Sequence, residues 1–193
     1  MAAFAAPAAL LILLSSATAQ PIAQAHAFDI DARRSEAVFT VQLRARQSGV
    51  EGRLAAPRGE LSGSVQGGWT VQVKVDGRRL RVDGPRWMER MTRSASFLAV
   101  DRHPWIRFAS APFGDRLLHA GGELPGQLTL RGLTRPVSLR LLPSQCARPG
   151  QDCDIHVQGE LSRKDFGMTA YRAFLRDGVD VHFRVRLRPE SAP

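Results

Sequence analysis

The side chains best able to move a proton or hold a metal in this chain are His26, His103, His119, His156 and His182, and no two of them stand at a metal-ligand spacing. His156 and His182 fall on the polar phase of two alternating stretches, so they could meet as a surface pair only if those stretches were neighbours. Two solvated histidines is the simpler expectation. His103 precedes Pro104 and is read as shaping a turn. No serine sits in a GxSxG elbow, and no HExxH occurs. A nucleophile, a base and an orienting acid therefore do not come together, and the chain reads as a non-enzyme that calls for no cofactor and no metal.

The most unusual chemistry lies in "LSRKDFGM", residues 161–168, where Arg163, Lys164 and Asp165 stand directly before Phe166, Gly167 and Met168. If the inward phase set by Ile155, Val157, Gly159 and Leu161 continues, Arg163 and Asp165 both point inward, each offsetting the other's desolvation. Lys164 then faces solvent. Gly167 lets the backbone turn, and Met168, Tyr171, Phe174 and Leu175 are expected to fold over the opening as an apolar lid.

Cys146 and Cys153 flank "ARPGQD". In an exported protein such a pair closes a loop as a disulfide, contributing roughly 2.5 kcal/mol through loop-closure entropy.

The elements that must position these groups are mostly strands. Apolar residues recur at every second position in Ala37, Phe39, Val41, Leu43 and Ala45, and again in Trp69, Val71, Val73 and Val75. Leu128 and Leu130 alternate with polar neighbours, as do Val137, Leu139 and Leu141 after "RGLTRP", so a hairpin is expected there. The clearest case is Val179, Val181, Phe183, Val185 and Leu187. Only residues 85–98, with Trp87, Met91 and Leu98 after Pro85, show helical spacing, and a short helix is expected to cross or plug the sheet. Many strands joined by short hairpins favour closure into a barrel. Such an interior is either a filled core or a cavity, because small barrels fill themselves with the same residue types.

Residues 1–25 carry no charged side chain; Ala2 to Leu14 are apolar apart from Pro7, "ATA" at 17–19 and "AQA" at 23–25 follow, and the segment reads as a signal peptide. Residues 26–189 form one domain, and residues 190–193 a loose tail. The net charge of +9 lies wholly outside the first 25 residues, and 25 of the 27 cationic residues are Arg, scattered over many strands. A nucleic-acid partner does not fit that scatter, the export signal and the lack of an aromatic stripe.

Taken together, "FDIDARRSEAVFTV" at 28–41, "MTRSASFLAVDRHPWIRFAS" at 91–110, "GQLTLRGLTRPVSLRL" at 126–141 and "LSRKDFGM" resemble the YceI-like family. Arg34, Ser96 and Lys164 depart from its usual His, acidic residue and Ser. The resemblance implies an all-β fold, an extended antiparallel lipocalin-like β-barrel with one or two short helices. It also implies location in the periplasm and an apolar tunnel that binds or carries an isoprenoid-type lipid, polyprenyl or quinone-like. The candidate ligand-binding residues are Phe39, Val41, Val71, Val73, Phe97, Phe108, Leu128, Leu130, Val137, Leu139, Arg163, Asp165, Phe166, Met168, Val181 and Phe183. Transient membrane contact and a homodimer stay open, as do two alternatives: a non-binding structural barrel, and an enzyme acting on such a lipid through Arg163 or Asp165.

Overall fold

The computed structural model describes residues 26–45, 49–64 and 68–188. The expected signal peptide, residues 1–25, and the tail, residues 190–193, lie outside the described residues. Eleven strands follow in order: β1 His26–Asp29, β2 Glu36–Leu43, β3 Gly49–Arg53, β4 Arg58–Ser64, β5 Gly68–Asp76, β6 Arg81–Val82, β7 Trp105–Ser110, β8 Gly122–Leu130, β9 Leu133–Leu141, β10 Ile155–Ser162 and β11 Leu175–Val185. Two helices interrupt them, α1 Arg86–Arg93 and α2 Arg116–Ala120.

All strands belong to one antiparallel sheet in the order β1-β4-β5-β7-β8-β9-β10-β11-β2-β3-β6. The sheet curls until the chain beyond β11 meets the chain beyond β1: Ile30 bridges Leu187, Asp31 N–H donates to the Arg186 carbonyl at 2.8 Å, and Arg188 N–H donates to the Asp29 carbonyl at 2.8 Å. Those bonds occupy backbone groups that an open edge would leave exposed. The all-β barrel expected from the alternation is the observed architecture.

The hairpin of β8 and β9 turns at Arg131 and Gly132, both in the left-handed region at φ 54° and 75°. Two successive positive φ values match the strand twist in a two-residue hairpin. The turn is shorter than "RGLTRP" suggested, because Leu133 to Pro136 already pair with β8. Gly132 packs against the His103 ring, so that histidine, expected to shape the turn into the strand at Trp105, also lies against this hairpin turn.

Helix α1 departs from expectation. None of its residues is buried and Trp87 is 52% exposed, so most of it covers a flank, and only Thr92 near its end reaches the interior. Its end at Ser94 lets the next loop turn back, and it is Phe97 from that loop that is buried.

Two apolar clusters mark the ends of the interior. Ile30, Leu61, Trp69, Leu118, Leu124 and Ile155 belong to one, and Leu128, Leu130, Phe166 and Met168 to the other. From Ile155 to Leu161 along β10 is six strand steps, roughly 20 Å. Near the first end the predicted Cys146–Cys153 disulfide is formed and holds the loop before β10. Gly150 in that loop accepts from Leu187 N–H at 2.8 Å. The same loop is tied to the barrel by Arg186, which donates from Nε to Asp154 and from a terminal nitrogen to the Gln151 carbonyl at 2.6 Å.

Candidate functional site

Between the two clusters lies a cavity of about 190 Å³. A buried water needs about 10–15 Å³ by the same measure, so this space exceeds a water site more than tenfold. The interior is hollow. Strand alternation puts the wall side chains there: Phe39 and Val41 from β2, Val71 and Val73 from β5, Phe108 from β7, Leu128 and Leu130 from β8, Leu139 from β9, and Val181 and Phe183 from β11 all line it. Val137 does not line the cavity; it packs against the Leu128–Phe166 cluster.

Further lining residues share inward phases already read from the sequence, among them Val157, Val179 and Val185, and Ile106 lies two positions from Phe108; Leu61 of β4 lines it as well. Others carried no such signal. Phe113 comes from a loop and Leu118 from the five-residue α2, and each reaches the interior only because its segment folds under the barrel end.

The lining is apolar except for Thr92, Ser162 and Arg163. Arg163 is 2% exposed, and its position follows from a change of local geometry. Strand β10 ends at Ser162, Arg163 adopts the right-handed helical region, and Lys164–Phe166 form a 3-10 turn. Three residues per turn place Arg163 and Phe166 on one face, and both are buried. Asp165 falls on the opposite face and is exposed, as is Lys164. The expected inward Arg163–Asp165 pair is therefore corrected: Arg163 points in, Asp165 points out, because strand alternation stops one residue before the pair. Gly167 then reverses the chain at φ 70°, and Met168 N–H returns to the Arg163 carbonyl at 3.0 Å.

The Arg163 guanidinium donates from Nε to the Arg176 carbonyl at 3.1 Å and from a terminal nitrogen to the Ala170 carbonyl at 3.4 Å. Its carbon lies 5.5 Å from the centre of the Phe97 ring. No carboxylate among the described residues forms an ion pair with it; the nearby Asp177 binds the Ser162 hydroxyl at 2.8 Å and Lys164 Nζ at 3.6 Å instead. Burial pushes the Arg163 pKa below its ordinary value, with Asp177 opposing that shift, and the group stays charged as arginines do.

The expected lid is present only in part. Met168 is buried, whereas Tyr171 stacks on Phe97 with ring centres 5.6 Å apart and is 47% exposed. Phe174 is 69% exposed. Leu175 starts β11.

Strands β10 and β11 are neighbours, which sets His156 and His182 diagonally on the outer face, with His156 opposite Arg184 and His182 opposite Gln158. No third ligand joins them: among the described residues no three His, Cys, Asp or Glu side chains gather as a metal set.

A model of the YceI-like domain matches residues 28–187. BcnA of Burkholderia cenocepacia shares the fold with a TM-score of 0.65 at 15% identity, covering 81% of this chain and 98% of its own. A polyisoprenoid binding domain from Saccharophagus degradans superposes with a TM-score of 0.61 at 14% identity, over 82% and 95% of the two chains. For the YceI protein of Campylobacter jejuni the values are 0.58 and 14%, over 72% and 85%. No curated protein matches the chain.

Proposed function

The chain belongs to the YceI-like domain family, and from that premise we propose that it is a non-catalytic binding or carrier protein for an isoprenoid-type lipid, polyprenyl or quinone-like. The observation that carries this reading is the hollow interior, walled by hydrocarbon side chains over its whole length with polar atoms gathered near one end. A branched hydrocarbon chain suits such a space, since each buried CH₂ contributes about 0.8 kcal/mol without any polar recognition. The polyisoprenoid binding domain with the same fold supports the choice of lipid class.

The headgroup end lies against Arg163. A guanidinium only donates hydrogen bonds, so the head it meets must accept them, as a phosphate or a quinone carbonyl does. The Cys146–Cys153 disulfide supports export to the periplasm, because disulfides persist in oxidising compartments.

Native mass spectrometry of protein purified from a bacterial host tests the reading. The expected result is an added mass that organic solvent releases as a prenyl lipid. Absence of any added mass, together with no displacement of a fluorescent farnesyl probe by farnesol or ubiquinone, would overturn it.

A further inference from the structure

The segment that seals the Arg163 end has two sides of opposite character. Inward it presents Arg163, Phe166 and Met168, all buried. Outward it presents Tyr171 and Phe174, and beside Gly167 stands Leu133 of the β9 start, 38% exposed. Exposed apolar side chains scattered singly need no explanation, but these three sit on one end of the barrel and on one continuous set of contacts. Arg131 reaches from the hairpin turn to the Gly167 carbonyl at 2.7 Å and the Ala95 carbonyl at 3.0 Å. Arg44 reaches from the far side to the carbonyls of Arg172 at 2.8 Å and Leu175 at 3.2 Å.

The charges of these staples are not cancelled. Arg44 and Arg131 donate to backbone carbonyls, and among the described residues neither forms an ion pair with a carboxylate. Exposed Arg135, Arg172 and Arg176 and the Lys164 side chain add to them, and they outnumber the neighbouring carboxylates: Asp165, Asp177, which already serves Lys164, and Glu160, which lies against Gly178. Apolar tips ringed by uncancelled guanidinium groups match the chemistry of an anionic bilayer surface. The rings can enter the headgroup layer while the arginines meet phosphate.

We propose that the face formed by Tyr171, Phe174 and Leu133 with Arg44, Arg131 and Arg172 docks the protein on an anionic lipid bilayer, bringing the Arg163 end of the cavity to the headgroup layer. The docking rests on this face alone. Its use in passing a prenyl lipid between bilayer and cavity rests on the function proposed above.

The test is vesicle co-sedimentation of the wild-type protein with phosphatidylglycerol-containing and pure phosphatidylcholine vesicles, at low and high salt. The double variant Y171S/F174S, the variant R172Q and the control R140Q, on the outer face of β9, are compared after circular dichroism shows them folded. The expected result is binding to anionic vesicles that salt weakens, lost in Y171S/F174S and lowered about fivefold in R172Q. R140Q should leave it in place. Each variant should still bind a fluorescent farnesyl probe in solution, so failed docking is distinguishable from a failed cavity. Wild-type protein that ignores anionic vesicles, equal loss in R140Q, unchanged binding of Y171S/F174S, or a patch-dependent dimer without vesicle binding would overturn the proposal.

Discussion

Arg163 holds its guanidinium 5.5 Å from the centre of the Phe97 ring, with its nitrogens turned to the backbone carbonyls of Arg176 and Ala170 and, among the described residues, no carboxylate paired to it. A buried cation stabilised by a ring face and carbonyl dipoles retains capacity for an anion, whereas one locked to a carboxylate has spent it.

Replacing Arg163 with Met should change headgroup choice more than stability. The two carbonyls lose their donors, at about 1–3 kcal/mol, while removal of a buried unpaired charge works in the other direction. Phe166→Ala, which only empties a buried site, should cost more, about 3–5 kcal/mol. Urea unfolding of both variants checks that order. Isothermal titration with farnesyl phosphate and farnesol should show wild-type preference for the phosphate, lost in R163M and partly kept in R163K.

Filling the cavity should separate folding from binding. Val181 is buried and lines the space from β11, so Val181→Phe adds volume where there is room to take it. Overpacking a filled core costs about 1–3 kcal/mol; here the cost should fall below that range. Farnesyl probe affinity should drop at least about tenfold, equivalent to 1.4 kcal/mol. A large loss of stability in the urea midpoint would mean that the space is not hollow.

The disulfide should matter for stability and not for the cavity. Cys146→Ser with Cys153→Ser removes about 2.5 kcal/mol of loop constraint. The loop keeps its Arg148–Asp152 ion pair at 2.7 Å and its bonds to Arg186, so the lost stability should stay near or below that figure. Wild-type protein treated with a reductant should show the same shift in unfolding midpoint, and probe binding should be unaltered in both.

Acid should loosen the end of the barrel where Asp154 meets Arg186. Burial opposes the Asp154 charge, but its hydrogen bond to Arg186 and the charges of Arg186 and Arg184 outweigh that and hold its carboxyl below the ordinary value of 3.8. A carboxyl with a depressed folded-state pKa contributes stability that is fully present above its unfolded value and lost as pH falls through the folded one. Asp154→Asn should therefore lower the melting temperature at neutral pH. The gap to wild type should close below pH 3.8, which thermal melts across pH 7 to 2 would reveal.

The family motifs and the period of two were enough to read an antiparallel barrel from the chain. In a strand, successive side chains must point to opposite faces, so Val71 and Val73, or Val181 and Phe183, were bound to share a side wherever the strand lay. Loop closure by Cys146 and Cys153 was legible too, since Pro149 and Gly150 between them favour a turn and the loop to be closed is short. Local geometry alone produced those outcomes.

Other features depended on the whole molecule. Alternation predicted that Arg163 and Asp165 both face inward; Asp165 does not, because a 3-10 turn replaces the strand after Ser162, and it is this turn that aligns Arg163 with the buried Phe166. Helical spacing located α1, yet what it covers depends on where the sheet runs, and the sheet left Trp87 in solvent. The same Val, Leu and Phe residues could have filled the interior; that they surround a cavity follows from how far the eleven strands curl before Ile30 meets Leu187. Residue type and spacing thus determined which side chains face inward. The distance between opposite walls is a property of the closed sheet, and only the tertiary structure decided it.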